Sequence, residues 1–407
     1  MANDAVGSAE RVSFEVVPEQ EEVWRDEITA MTVQLQDKRK TLQNGQVLRG
    51  VHPKSHGCLN ADFVVNSDLP DDLRVGLFAT PGRAFRAKIR YSNADVLKRA
   101  DIETKEETNG EKVLSHGSRG MAIKVLDVDG PVLLADGGQQ NQDFLMVNTP
   151  EFAFRNVRDY RRLTAALLAS SDGATVDLFF LPAKMLELGM MDGQGKLTPP
   201  ASSDTEKMKR FRAAFEGLDF VFAGYDSDDV QGVLSANDIV QKIQATSVRN
   251  PLKANYFGAA PFRFGADRVM RFSVTPYGSG IPEPDLEKSE MEALSDDYLA
   301  QAVRDALAQQ ETIRLSFWLQ IASASDIKGR EVTMIENASV PWDEQNFEPI
   351  EVAQIVISPD QPAELIDACK PLLFTPWHAL EAHEPLGGIN RLRKPVYSAS
   401  ADFRRAP

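Results

Sequence analysis

Cysteine is almost absent from this chain. Cys58 and Cys369 are the only two in 407 residues, too few for a disulfide scaffold, and such sparing use fits a reducing compartment. Histidine is scarce as well: His52, His56, His116, His378 and His383 are the full set. Of these only His52 and His56 have the four-residue spacing of a zinc-binding helix. Pro53 and Gly57 oppose a helix there, and no glutamate lies between the two histidines, which argues against a zinc hydrolase. No run approaches the ~18 apolar residues of a membrane-spanning helix. The first residues, Met1-Ala2-Asn3-Asp4, offer neither a basic nor an apolar leader region, so no secretory signal is expected. Positive charge is in deficit, with 45 Lys and Arg against 60 Asp and Glu and a net charge of −15. That balance opposes binding of nucleic acid or anionic membranes through a basic face. The expectation is a soluble, cytoplasmic protein with no integral membrane span.

What is present is a large apolar fraction, 43% of the chain, enough for a substantial core. Residues 1–17 read as a polar start. From Pro18 to Lys40, Val23, Trp24, Ile28, Met31 and Leu35 recur at helical spacing and predict an amphipathic arm. Strands are predicted over 61–65, 85–91, 122–126 and 132–135, then helices near 157–170, 205–216 and 236–246. Strands return over 268–274, 312–319 and 350–357. Strands, then helices, then strands again predict an α+β fold: a closed antiparallel barrel with inserted and appended helices. The expected division is an N-terminal polar segment and arm over 1–47, a barrel core with helical insertions over 48–335, and a C-terminal wrapping segment over 336–407.

The chemistry begins near the C-terminus. Arg393 and Tyr397 are four apart and share a helical face, and Arg404 returns to it two turns later. A guanidinium beside a phenol favours the phenolate, lowering a pKa that starts near ~10. Tyrosinate is an axial ligand of haem iron, and an arginine at the haem edge pairs with a propionate. The same spacing also suits a basic surface helix with one packed tyrosine. The motifs upstream decide between the two.

Those motifs are Arg49-Gly50-Val51-His52-Pro53, Ile89-Arg90-Tyr91-Ser92-Asn93, Ser118-Arg119-Gly120-Met121-Ala122 and Asn148-Thr149-Pro150-Glu151-Phe152. With Arg393-x-x-x-Tyr397, this ordered set resembles the haem catalase superfamily, and among its members the short catalase-related haem peroxidases and hydroperoxidases. The resemblance runs from about Arg49 to Arg404. It implies a catalase-like closed barrel with helices around a buried haem b, and Tyr397 as the axial ligand of the iron on a proximal helix. It implies further that His52 passes the peroxide proton and that Ser92 hydrogen-bonds His52. Arg49, Arg90 and Arg404 would pair with the propionates, Arg393 would hold the phenolate, and Val51, Phe152 and Tyr160 would contact the cofactor. His56 falls where relatives have a small residue and is expected to be non-catalytic. Asn148 aligns with the second asparagine of the Asn-Asn-Thr-Pro segment of large catalases and Val147 with the first. A one-residue backbone shift would therefore be needed to bring Asn148 over the iron as the catalytic amide.

The activity so implied is reduction of H2O2 or organic hydroperoxides through an oxoferryl intermediate, with a small-molecule electron donor. Val51 leans that way, because relatives that form allene oxides carry threonine before the distal histidine. Two alternatives stay open: rearrangement or cleavage of an organic hydroperoxide, and a non-catalytic barrel holding haem or lipid. The chain stops shortly after Arg404 and its arm is short, so a monomer or homodimer with an open haem channel is expected.

Overall fold

The computed structural model describes residues 12–106, 112–196, 206, 225–278, 280–283, 286–309 and 312–405. Its eleven described strands are β1 (Ser55–Val65), β2 (Ala84–Asn93), β3 (Ile102–Glu106), β4 (Lys112–His116), β5 (Arg119–Val125), β6 (Gln142–Val147), β7 (Tyr256–Gly258), β8 (Phe262–Phe264), β9 (Arg268–Pro276), β10 (Ile313–Ser323) and β11 (Ile350–Ile357). The hydrogen-bonded order β10-β11-β1-β2-β5-β6-β7-β9 closes on itself because β9 also pairs with β10, from Leu315 opposite Pro276 to Ser323 opposite Arg268. Eight antiparallel strands thus form a barrel. β8 extends β9, and β3–β4 is a separate hairpin. β11 is a barrel strand, although it lies within the segment expected to wrap the core.

Phenylalanine fills the barrel. Phe63, Phe144, Phe272 and Phe317 are buried. Phe317 meets Phe144 at 4.8 Å between ring centroids and Phe63 at 5.1 Å, while Phe144 meets Phe272 at 4.9 Å. These distances suit tilted and edge-to-face packing. The interior of the barrel is lined by a buried side-chain core.

The longer helices are α1 (Glu21–Lys40), α2 (Val157–Ala169), α3 (Asp177–Glu187), α4 (Ser227–Ala245), α5 (Tyr298–Gln309) and the C-terminal α6 (Gly388–Arg405). α1, α2, α3, α4 and α6 pack as one group, and α5 packs on β1. α1 opens on Glu21 and Glu22 and closes on Lys38, Arg39 and Lys40, charges that complement its dipole. α2 is capped by Asn156, whose side chain accepts from Asp159 N at 3.1 Å. α4 begins with a capping box between Asp226 and Asp229. Among the described residues no helix is long and apolar enough to cross a membrane.

Three expectations need correction. The strand read over 132–135 is not formed; Val132 makes one isolated bridge to Leu380, because this apolar stretch lies beside the C-terminal segment instead of in the barrel ladder. α3 was not anticipated, since Pro182 interrupts its pattern although Pro182 is accommodated inside the helix. The two cysteines, taken as a sign of reducing surroundings, are joined: Cys58 and Cys369 form a disulfide with Cα atoms 5.4 Å apart. A cross-link of this kind is characteristic of oxidising compartments. The helix expected near 205–216 lies outside the described residues apart from Glu206, and that expected near 236–246 is the second half of the longer α4.

Candidate active site

Strand alternation sets the site on the outside of the barrel. On β2, Ile89 and Tyr91 join the core, so Arg90 and Ser92 face the helices. On β5 and β6 the same parity turns Met121, Ile123, Phe144 and Met146 inward and leaves Gly120, Ala122, Leu145 and Val147 outside. Between this face and the helices lies a cavity of about 630 Å³. α6 crosses it with Leu392, Arg393, Val396, Tyr397, Ser400, Ala401 and Arg404, the three- and four-residue spacing of one helical face.

His52 sits in the loop before β1 with φ of 57°, a left-handed conformation uncommon for a side-chain-bearing residue. Three contacts from one stretch of chain hold it there. Its N–H donates to Asp95 O at 2.8 Å, its carbonyl accepts from Arg90 Nη2 at 2.7 Å, and its Nδ1 lies 3.0 Å from Ser92 Oγ. The ring rests on β5 at Gly120, where a Cβ would fall 2.5 Å from its Nδ1 and Cε1. Only glycine permits that approach. Burial, followed by repulsion from Arg90, Arg393 and Arg49, pushes the imidazole pKa down to about 3. The ring is therefore neutral near pH 7 and able to accept a proton.

A second feature is a concentration of guanidinium groups. Burial and repulsion from Arg90, Arg404 and Arg405 hold Arg49 down to about 8. Arg90 is lowered to about 10 by burial and by Arg404, and Arg404 is lowered by burial and by Arg405. Among the described residues none of the three is paired with a carboxylate. Arg404 Nη2 is buried without a hydrogen-bond partner, while Arg49 Nη2 reaches the carbonyls of Leu372 at 2.7 Å and Cys369 at 3.0 Å. Buried cations without counter-charge are unfavourable, and forked guanidinium donors match carboxylates. This end of the cavity suits an anion with more than one acidic group.

The remaining wall is apolar and aromatic. Phe152 lies under the Arg393 guanidinium at 5.6 Å, and Arg393 Nη1 reaches Asn390 Oδ1 at 3.4 Å. Tyr160 meets Phe154 edge-on at 5.5 Å. Burial and neighbouring Tyr397 push the Tyr160 phenol up to about 12, so it remains protonated. Leu163, Leu167, Val240 and Ile243 extend the wall through α2 and α4.

The structure thus brings Arg49, Val51, His52, Arg90, Ser92, Phe152, Tyr160, Arg393, Tyr397 and Arg404 to one cavity. Asn148 is the expected site residue that does not line it. Its Oδ1 accepts from Arg119 N at 2.7 Å and Ser118 Oγ at 3.2 Å, and Val147 faces the cavity instead. His56 is a buried histidine held by Asn93 Oδ1 at 2.7 Å, away from the lining. Among the described residues no three His, Cys, Asp or Glu side chains converge on a site for a bare metal ion. Sequence reading missed the seat at Gly120, although it lies inside a quoted motif, as well as Phe154 and the backbone anchors of Arg49 and His52.

No family model matches this sequence, and no curated protein matches it. Solved structures do. A fungal catalase aligns with a TM-score of 0.58 at 14% identity, over 90% of this chain and 61% of its own. A bacterial catalase gives 0.54 at 13%, over 90% and 59%, and catalase A from Saccharomyces cerevisiae 0.55 at 14%, over 100% and 69%. The fold is that of the catalases. The chain spans about three fifths of the first two, with coverages of 61% and 59%. At these identities the likeness concerns the catalase fold alone.

Proposed function

We propose that this catalase-fold protein binds haem b in the outer-face cavity and reduces H2O2 or an organic hydroperoxide with the help of a small electron donor. The observation that carries the reading is the meeting of three arginines without carboxylate partners among the described residues, Arg49, Arg90 and Arg404, with a seated His52 and with Tyr397 in one cavity. Haem fits this donor set. Its propionates would satisfy the arginines, Val51, Phe152 and Tyr160 would pack the macrocycle, and Tyr397 would supply the phenolate for iron. When bound, the haem supplies the redox chemistry.

The protein's own part is to place and move a proton. His52, with Nδ1 engaged by Ser92, presents its other ring nitrogen to the hydroperoxide O–H and takes that proton. The protonated ring so formed returns the proton to the departing oxygen. Gly120 and the backbone clamps keep the ring in place. Asn148 has its Oδ1 engaged by Arg119 N, while its Nδ2 is buried without a partner among the described residues and is the group left to meet a ligand.

An organic hydroperoxide is favoured as a substrate by the apolar wall of Phe154, Leu163, Leu167, Val240 and Ile243. Competition assays with an aryl hydroperoxide and H2O2 would rank the two. The primary test is the absorption spectrum of haem-replete protein. We expect a high-spin tyrosinate-type band that disappears in Tyr397→Phe, and a transient Soret change on addition of peroxide. Colourless protein from haem-replete expression would overturn the reading.

A further inference from the structure

We propose that the Cys58–Cys369 disulfide is the positioning element for Arg49, and through Arg49 for the anion-binding end of the cavity. The identity of the anion rests on the haem reading; the positioning does not.

Arg49 has little to hold it in place. It lies in the irregular loop between α1 and β1, and Arg90, Arg404 and Arg405 repel it. Its side chain donates to the carbonyls of one short stretch, Cys369 at 3.0 Å, Lys370 at 3.4 Å and Leu372 at 2.7 Å. That stretch is itself a strap of turns, belonging to neither a strand nor a long helix. Gln361 ties its start to Asn60 of β1, Leu365 packs in the barrel core and Arg405 reaches Pro371 O at 3.4 Å. Beside the carbonyls that hold Arg49, however, the attachment is covalent. Cys369 is bonded to Cys58 of β1 across 311 residues of sequence, and Cys58 N–H donates to Leu365 O at 2.7 Å.

The surroundings place this staple against the site. Cys58 and Cys369 pack with Phe374, Ala122 and Leu145, three residues that also line the cavity. The residue that carries the sulfur of the cross-link also supplies one of the carbonyls that hold the guanidinium. Both cysteines are almost fully buried, at 0% and 1% exposure. The bond is thus shielded from reductants in the folded protein and acts as a fixed part of the site. Removing it would loosen the strap at Cys369–Leu372, and repulsion from the neighbouring arginines would draw Arg49 away. A pre-placed guanidinium spares the ligand the ordering cost that a loose one imposes.

A purely structural staple would stabilise the protein without acting through Arg49, and a double-mutant cycle separates the two roles. Cys58→Ala/Cys369→Ala is compared with wild type, each alone and combined with Arg49→Gln. Cys58→Val/Cys369→Ala replaces the lost volume should the first variant fail to fold. In cofactor-free protein, labelling of Arg49 by phenylglyoxal, read by peptide mass, should accelerate about tenfold without the disulfide. In haemin titrations the dissociation constant should rise about tenfold, as expected for loss of one charge-assisted hydrogen-bonding group. Removing the disulfide in the Arg49→Gln background should then add nothing. Unchanged labelling, additive losses in the cycle, or two free thiols in the unreduced wild type would each overturn the proposal. If wild type takes up no haemin, the haem reading falls, while the labelling result still decides whether the disulfide positions Arg49.

Discussion

On β2, Ile89 and Tyr91 enter a core of phenylalanines, whereas Arg90 and Ser92, one residue away, line the cavity. β5 repeats the contrast, with Met121 and Ile123 inside and Gly120 and Ala122 outside. Both faces share a backbone, yet they obey different requirements. The inner face is specified by volume: its rings contact one another and leave little polar demand. The outer face keeps like charges close together, a neutral histidine in left-handed backbone, and a glycine where any side chain would collide. None of that serves the stability of the isolated chain. The comparison therefore separates residues selected by packing from residues whose electrostatics remain unfinished without a ligand.

The largest expected effect lies on the inner face. Phe317→Ala should destabilise the protein by about 3–5 kcal/mol, the usual range for deletion of a buried aromatic ring, measured by urea unfolding. A loss below about 1 kcal/mol would mean that the barrel core is looser than its ring contacts indicate. On the outer face, His52→Ala should lower peroxide turnover about 10²–10⁴-fold while costing less stability than Phe317→Ala, roughly 1 kcal/mol for one lost hydrogen bond. Gly120→Ala should reproduce part of that turnover loss by displacing the imidazole, and the structure of the variant should show the ring moved from β5.

Acid should sharpen the comparison further. His52 is held down to about 3, and burial places His56 and His383 at about 4. Their unfolded values lie near ~6.5, so between those limits the unfolded chain binds more protons than the folded one. Their contribution to stability is complete above about pH 6.5 and is lost as pH falls towards 4 and then 3. The urea midpoint should drop over this interval, and His52→Ala should make the drop shallower. An unchanged slope would place His52 in a more hydrated setting than its contacts imply. The smallest effect concerns Arg404→Gln. Removing one cation from the crowded cluster should raise the stability of the cofactor-free protein by about 0.5 kcal/mol and weaken haemin binding. A loss of stability instead would show that Arg404 already has a favourable partner.

Much of the barrel was legible because alternation is local. β11 occupies Ile350–Ile357, the range read from its pattern, β1, β2 and β9 contain the runs anticipated for them, and β5 and β10 each miss one end residue of theirs. The short β7 and β8, three residues each, are too brief to carry a period. The apolar run at 132–135 misled because an apolar stretch can be buried without joining a ladder. At the site, the helical spacing of Arg393, Tyr397 and Arg404 placed all three on one face of α6. The direction of Asn148 was not legible, since a side chain next to a strand end faces whichever partner the neighbouring strand offers. Here that partner is the Arg119 amide. Arg393 was expected to hold a phenolate and lies over Phe152, a contact set by the meeting of α6 with the segment before α2.

The sequence alone determined most of the alternating strands, the amphipathic arm and the face of the last helix, because each is written in neighbours a few residues apart. Tertiary structure alone decided that the barrel interior is filled, that the cavity lies on its outer face, and that three arginines meet there without counter-charge. It also decided that two cysteines 311 residues apart are joined beside the carbonyls that hold Arg49. Those outcomes depend on chain segments meeting across hundreds of residues, and a contact of that range leaves no periodicity in the sequence to read.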